Sequence, residues 1–253
     1  MCLLVVLYRV VDDAPILIAA NREERFDRPT LVPRLYRGPP RYVCGLDLQE
    51  NGTWLGVNEH RLFVAVTNRA RPGLTASPRS RGLLCRDLLA CKTAKKATAM
   101  ARAALSDGSY AGANYVCLDP TYGAVVYGGR DVSVVEITPG LHLLTDADLD
   151  DPEDRRQSQA RRLLETAGSK ATSSVAGFLE TTAIVCAHKG VIVRAADSGT
   201  VSADQVAVTT TASDAVYRHT PGPPDRLEFD DFSNLLARVL DGSNPDSTRK
   251  VRA

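Results

Sequence analysis

Cys2-Leu-Leu-Val-Val-Leu-Tyr8 is a continuous run of residues that favour β-strands, and Ile16-Leu-Ile-Ala-Ala20 is a second such run. Between them, Asp12-Asp-Ala-Pro15 has the composition of a turn. Two apolar runs joined by a short turn pair as neighbouring antiparallel strands. The pattern therefore predicts a hairpin over residues 2–20 that is buried on at least one face.

The segment that follows this hairpin is rich in proline and charge. Residues 21–40 contain four prolines and little periodicity, which predicts a long loop, and such loops are often functional. Asn51-Gly52 is a strong signal for a hairpin turn. Residues 53–57 and 62–67 are then predicted as strands around a tight turn at 58–60.

Helices and further strands follow in blocks. Helices are predicted at 80–90, 93–105, 153–167, 173–181 and 232–240, and strands at 115–118, 124–127, 132–137, 141–144, 184–187, 191–195 and 206–210. Separate blocks of strands and helices are typical of an α+β fold. No linker divides the chain, so we predict one domain over residues 1–242 and a flexible tail over 243–253.

Composition excludes several classes of protein. The 253 residues are 44% apolar, enough for a packed core, and the formal net charge of +1 gives no general attraction for nucleic acid or anionic membranes. The longest apolar run, residues 2–8, is far shorter than the ~20 residues of a membrane-spanning helix. No basic segment precedes it as in a secretory signal. We therefore expect a cytoplasmic protein without a membrane span or a nucleic-acid partner. The sequence does not determine its oligomeric state.

The cysteines and histidines show no spacing typical of a metal site or a disulfide framework. Cysteines stand at positions 2, 44, 85, 91, 117 and 186, and none forms a Cys-x-x-Cys pair. The four histidines, at 60, 142, 188 and 219, are equally scattered. Reduced thiols and no metal are the expectation.

Cys2 has the strongest potential for chemistry. If the preceding methionine is removed, Cys2 carries both a thiol, with a reference pKa of ≈ 8.5, and an α-amine, with a reference pKa of ≈ 7.7–8.0. The amine is then able to accept the thiol proton near neutral pH, as in N-terminal nucleophiles. Alternatively, Cys2 is only the first residue of a buried strand.

A charged cluster follows the second strand of the hairpin. In Asn21-Arg-Glu-Glu-Arg-Phe-Asp-Arg-Pro29, the first residues are expected near the sheet end that holds Cys2. There Arg22 would favour the thiolate and a carboxylate would hold the amine. The alternative is a solvated charged loop without a catalytic role.

Three later features are also candidates. Asn68 ends a predicted strand, where its amide suits an oxyanion, although asparagine is also common in turns. Trp54 is expected in the core or beside the site. The acidic stretch 146–151 is expected to cap the helix beginning near residue 153. The arginines of that helix, Arg155, Arg156, Arg161 and Arg162, are expected on its solvated face.

These features occur together with several further short strings. In order along the chain they are Met1-Cys2, Asn21-Arg-Glu-Glu24, Arg28-Pro29, Gly45-Leu-Asp47, Gly52-Thr-Trp-Leu-Gly-Val-Asn58, Thr67-Asn-Arg69, Ser80-Arg-Gly-Leu-Leu84 and, more weakly, Pro139-Gly-Leu-His-Leu-Leu-Thr145. The combination strongly resembles the NRDE family, which is the family of transport and Golgi organisation protein 2. The resemblance is dense over residues 1–90 and thin to about residue 230.

This family resembles the N-terminal nucleophile (Ntn) hydrolases, especially the cysteine type of choloylglycine hydrolase and penicillin V acylase. The resemblance implies a four-layer αββα sandwich of two stacked, mainly antiparallel sheets. It implies Cys2 as nucleophile, Arg22 as its electrostatic partner, Glu24 where relatives have an aspartate, and Asn68 as an oxyanion donor. Substrate contacts are expected from Asn21, Trp54, Asn58 and Asp146.

Two positions depart from the family pattern. Asp146 stands where the family usually has asparagine, and an ionised carboxylate would repel an oxyanion instead of donating to it. Val201 stands where the family often has arginine, a cationic role that Arg194 or Arg218 is a candidate to replace.

The sequence leaves several functions open. The first is a cysteine amidohydrolase acting on the linear C–N bond of a small N-acyl compound. The second is a non-catalytic carrier or chaperone for haem, a lipid or acyl-CoA, which would use the same pocket and which the family resemblance implies. The third is an interaction module with a vestigial site. No cofactor is expected for the hydrolase, whereas haem is a possible ligand of the carrier.

Overall fold

The computed structural model describes residues 2–70 and 79–242. The strands are β1 Leu3–Val11, β2 Ala14–Arg25, β3 Thr30–Tyr36, β4 Tyr42–Asp47, β5 Leu55–Asn58, β6 Phe63–Asn68, β7 Ala113–Leu118, β8 Gly123–Gly128, β9 Val132–Glu136, β10 Gly140–Leu144, β11 Ser198–Val208, β12 Val216–Thr220 and β13 Asp230–Asp231. The α-helices are α1 Arg81–Leu88, α2 Ala94–Ser106, α3 Arg155–Thr166, α4 Lys170–Ser173, α5 Val175–Ala187 and α6 Ser233–Leu240.

The strands form two sheets with antiparallel pairing between their neighbours. One has six strands in the order β10-β1-β2-β11-β12-β13, and the other has seven in the order β3-β4-β5-β6-β7-β8-β9. An apolar core joins the two sheets, a second lies between the six-stranded sheet and α3–α5, and a third lies between the seven-stranded sheet and α1–α2. The predicted αββα sandwich is confirmed. No described helix is long and apolar enough to cross a membrane.

Strand β1 shows why its sequence is continuously apolar. Successive side chains of a strand point to opposite faces. Leu4 and Val6 accordingly enter the core between the sheets, whereas Leu3 and Val5 enter the core beneath the helices. Because β1 lies between β2 and β10 and is covered on both faces, polar residues have no solvated side to occupy.

The predicted loop over residues 21–40 is wrong. Strand β2 continues to Arg25, because β11 pairs with it along that whole length and supplies the backbone hydrogen bonds. Strand β3 then occupies residues 30–36, at the edge of the seven-stranded sheet. Pro33 is tolerated there because an edge strand needs fewer donors, and the register with β4 shifts between Leu31 and Arg34.

Two predicted strands in the last third are also wrong. Residues 184–187 form the last turn of α5, and residues 191–195 are turns with one isolated bridge. Short apolar runs do not distinguish a buried strand from a buried helix. Helix α5 begins at a good N-cap, where the Ser174 hydroxyl accepts from the N–H of Gly177. The predicted tail over 243–253 lies outside the described residues.

Candidate active site

A cavity opens at the end of the six-stranded sheet where β1 begins and β2 ends. Leu3 pairs with Asn21, so one register step further Cys2 lies beside Arg22 on the adjacent strand. Both residues line the cavity, together with Trp54 from the loop before β5 and Asn68 from the end of β6. Further lining residues are Glu23, Glu24, Arg28, Asp47, Thr53, Val66, Ser80, Arg81 and Gly82. The fold therefore brings Cys2, Arg22, Glu24, Trp54 and Asn68 to one place.

Cys2 is half-buried and lines this cavity. Its pKa is raised, first by burial among its neighbours and then by the charge of Glu23. The positive charge of the chain terminus, a hydrogen bond from the backbone of Glu23 and the charge of Arg22 oppose this rise but do not overcome it. The thiol therefore keeps its proton in this arrangement and needs a base to become a nucleophile.

Arg22 is held over an aromatic face. Its guanidinium carbon lies 4.6 Å from the centre of the Trp54 ring, and its Nη2 lies 3.6 Å from a carboxylate oxygen of Glu24. Burial lowers the pKa of Arg22, while Glu24 and Cys2 act in the opposite direction. Stacking on an indole fixes the plane of a guanidinium without removing its charge.

Trp54 is in turn anchored by a buried polar network that sequence reasoning missed. Its Nε1–H donates to Asp204 Oδ2 at 2.8 Å, and the other carboxylate oxygen of Asp204 is 2.8 Å from His219 Nδ1. Asp204 is completely buried. The far edge of the indole covers Gly45, where a Cβ atom would lie 2.3 Å from the ring. The network thus links both sheets and sets the position of the surface on which Arg22 rests.

Asp204→Ala is expected to lower the free energy of unfolding by about 2–4 kcal/mol, because Trp54 and His219 lose their buried acceptor. Since Trp54 is the only tryptophan of the chain, its fluorescence should change in the folded variant as well. Urea unfolding followed by fluorescence measures both effects. Asp131→Ala, at an exposed bend, is the matched control. An unchanged midpoint and spectrum for Asp204→Ala would contradict the anchoring role.

The buried carboxylate nearest to Cys2 is Glu23, which was not predicted as a site residue. It receives bonds from Arg156 at 2.9 Å and from the hydroxyl of Thr200 at 3.0 Å. Burial nevertheless raises the pKa of Glu23 to about 7. The prediction that Arg156 lies on a solvated helix face is therefore wrong, and Arg161 of the same face bonds Asp150. The sequence contains only a weak signal for this burial. Successive side chains of a strand face opposite sides, so Glu23 and Glu24 cannot both lie on the same face.

Asn68 lines the cavity from the end of β6. Its backbone pairs with Ala113 on β7, whereas its side chain has no hydrogen-bond partner within residues 2–70 and 79–242. The start of α1 borders the same space, because the N–H of Thr53 donates to the carbonyl of Gly82. That contact needs glycine at position 52, where a Cβ atom would lie 2.3 Å from Gly82.

The remaining predicted site residues do not line the cavity. Asn21 faces the helices and donates to the carbonyl of Cys186, and Asn58 closes the turn before β6 by accepting from the N–H groups of His60 and Leu62. Asp146 follows β10 and is half-buried outside the lining set.

Neither candidate for the missing family arginine lines the cavity. Arg194 pairs with Asp225, and Arg218 is exposed on β12.

Comparisons with solved structures agree with this architecture. A mutant conjugated bile acid hydrolase from Clostridium perfringens superposes with a TM-score of 0.58 over 92% of this chain and 93% of that one, at 11% identity. The N-acylethanolamine-hydrolyzing acid amidase ortholog of Caenorhabditis elegans gives 0.52 over 81% and 92%, at 15% identity. At such identities the likeness shows the fold alone, which is that of the Ntn hydrolases.

Sequence comparisons identify the family. The Transport and Golgi organization protein 2 homolog of Homo sapiens is 29% identical over 145 residues, and the Mus musculus homolog gives the same identity over the same length. These matches cover 54% of this chain and 52% of each homolog, so the chain spans about half the length of the curated relatives it matches. The model of the family described as Transport and Golgi organisation 2 matches residues 1–204. The chain therefore belongs to the Transport and Golgi organisation 2 family.

Proposed function

We propose that this protein hydrolyses the C–N bond of a small N-acyl compound, with Cys2 as nucleophile. The observation that carries the proposal is the meeting of four unlike groups in one solvent-open cavity: a thiol, a guanidinium, a free carboxamide and a buried carboxylate. Two structural neighbours named as amide or conjugate hydrolases have the same fold, which supports the proposal by analogy only.

The first half of the reaction is acyl transfer to sulfur. Once the residue before Cys2 is removed, its α-amine takes the thiol proton, and the sulfur attacks the amide carbonyl carbon. The Asn68 amide donates to the oxyanion that forms, while Arg22 stabilises the negative charge around the sulfur. The C–N bond then breaks, the α-ammonium returns its proton to the leaving nitrogen, and a thioester remains on Cys2.

The second half is hydrolysis of that thioester. Water, losing a proton to the α-amine, attacks the thioester carbonyl, the C–S bond breaks, and the sulfur recovers the proton. The products are a carboxylic acid and an amine, and Cys2 is regenerated. Glu23 follows Arg22 on β2, and its charge acts on Cys2. Its carboxylate is thereby suited to hold the ammonium form.

Acyl capture by Cys2 tests this function directly. The full-length protein is incubated with p-nitroanilides of acyl groups of graded length, quenched in acid and examined by intact mass and peptide mapping. We expect an N-terminus at Cys2 and one acyl group on its sulfur, together with release of nitroaniline. Of the six cysteines only Cys2 and Cys91 are partly exposed, so Cys91 serves as the internal control.

Two results would overturn the proposal. One is turnover by protein that retains Met1, because its Cys2 has no free amine. The other is retention of an intact acyl compound, or of haem in a parallel titration, without C–N cleavage, which would favour the carrier.

A further inference from the structure

A second depression lies beside the cavity, and we call it the arginine groove. Its lining includes four arginines (Arg22, Arg25, Arg28 and Arg226), the aromatic ring of Phe26 and the segment Pro221-Gly-Pro223. No aspartate or glutamate is among the described residues that line it. Since Arg22 and Arg28 also line the cavity of Cys2, the groove and the cavity meet at these two side chains.

The four arginines differ in how far their charge is already matched. Arg25 makes two bonds to Asp27, at 2.9 and 2.8 Å, and Arg28 makes two bonds to Asp47, at 3.1 and 2.6 Å. These bidentate pairs fix the planes of two guanidinium groups, and the partner carboxylates largely neutralise their positive charge.

The other two arginines keep capacity for a ligand. Arg22 is 3.6 Å from Glu24, which is longer than a good hydrogen bond. Arg226 is exposed and has no ion-pair partner in the described part of the chain. The charge of Arg22 is only partly matched, because the same Glu24 oxygen also lies 3.7 Å from Arg28. The groove therefore keeps positive charge for a ligand at its two ends, Arg22 at the cavity and Arg226 at the rim.

The groove also offers apolar surface. Phe26 is 56% exposed, although its ring partly covers Gly199. An exposed aromatic ring among guanidinium groups suits a ligand that has both carbon surface and negative charge. A purely apolar ligand would leave the arginines unmatched, and a small inorganic anion would leave the ring uncovered.

We propose that the arginine groove binds an anionic group, a carboxylate or a phosphate, on the molecule whose amide reaches Cys2. This inference rests on the proposed function and names its substrate class: N-acyl compounds that carry a negative charge a few bonds away from the amide. Arginine forks bind both kinds of anion through paired N–H donors. An uncharged amide of the same size lacks these contacts and binds more weakly.

Matched probes separate the charge from the rest of the ligand. N-octanoylglycine, its neutral amide N-octanoylglycinamide and the phosphate compound N-octanoyl-O-phosphoethanolamine are titrated into full-length Cys2→Ala protein, which cannot turn them over. Trp54 fluorescence reports binding, because this only tryptophan lines the cavity. We expect at least one anionic probe to bind about tenfold more tightly than the neutral amide, as for one added charge-assisted contact.

The variant Arg226→Gln tests whether the arginine groove causes the preference for anionic over neutral probes. This variant should bring the affinity ratio of anionic to neutral probe close to one, whereas Arg162→Gln, on the exposed face of α3, should keep it. A carboxylate preference and a phosphate preference both support the proposal and identify the anion. Equal affinities for all three probes, or an unchanged ratio in Arg226→Gln, would overturn it.

The outcome is separable from that of the proposed function. Anion-selective binding without hydrolysis by the unmutated protein would reject the hydrolase and keep the groove. Hydrolysis of neutral and anionic amides with equal kcat/KM would keep the hydrolase and reject the groove.

Discussion

Cys2→Ala is expected to lower kcat/KM for N-acyl substrates by a factor on the order of 10⁴ or more, because it removes the one thiol among the described residues that line the cavity. In the proposed mechanism Arg22, Asn68 and Glu23 only position groups and stabilise charge. The hydroxyls of Thr53 and Ser80, which also line the cavity, are weaker nucleophiles than a thiol without an adjacent base. The loss should appear in kcat, since the variant keeps the binding surfaces. Steady-state kinetics with a nitroanilide that labels the native protein measures it.

The matched control is Cys91→Ala, at the other partly exposed cysteine. It should keep full activity and lose only the background alkylation of that thiol. Cys2→Ala should unfold at the same urea concentration as the parent, within error, so that loss of activity is not loss of fold. Turnover that survives in Cys2→Ala would place the chemistry elsewhere.

Arg156→Leu is expected to lower the free energy of unfolding by about 3–5 kcal/mol, because it leaves the buried carboxylate of Glu23 without its cation. The guanidinium bonds both oxygens of Glu23 and also the carbonyl of Val191. Burial already raises the pKa of Glu23 to about 7, and loss of Arg156 should raise it further. The loss should be larger at pH 8 than at pH 6, because at pH 8 the parent pairs an ionised Glu23 with Arg156, whereas the variant must either bury an unpaired charge or protonate Glu23. Urea unfolding at both pH values measures it.

Arg162→Leu is the control for this substitution, since it lies on the same helix with its side chain exposed. It should change stability by less than about 0.5 kcal/mol. Adding Glu23→Leu to Arg156→Leu should restore part of the loss, because the unpaired charge disappears with the carboxyl group. A single variant as stable as its control, at pH 8, would show that the pair contributes nothing.

The sequence predicted the parts of this fold that depend on local signals. Three local signals correspond to observed elements: the apolar runs of the first hairpin, Asn51-Gly52 between the paired strands β4 and β5, and Thr93 before α2. The residues around Cys2 were found because they recur as ordered strings of a known family. Those strings cover the first third of the chain, where Arg22, Trp54 and Asn68 lie.

What the sequence did not predict depends on pairing between distant segments. The polar end of β2 is a strand only because β11, about 180 residues later, pairs with it. Likewise, the burial of Glu23 and Arg156 follows from the packing of α3 against that end, and no periodicity within either segment indicates it. The role of Asp204 depends on contacts with both Trp54 and His219, which lie on different sheets.

The strand order of the six-stranded sheet determines when each strand finds its neighbours during synthesis of the chain. The strand after Cys2 pairs with β2 at once, but its other neighbour is β10, and β2 must await β11. On the ribosome, β1 is therefore expected to lack its second neighbour until β10, which ends at Leu144, has been made, and β2 until β11, which ends at Val208, has been made. If the residue before Cys2 is removed during synthesis, as the proposed mechanism requires, the interval before β11 pairs with β2 is when trimming enzymes meet the least folded amino end.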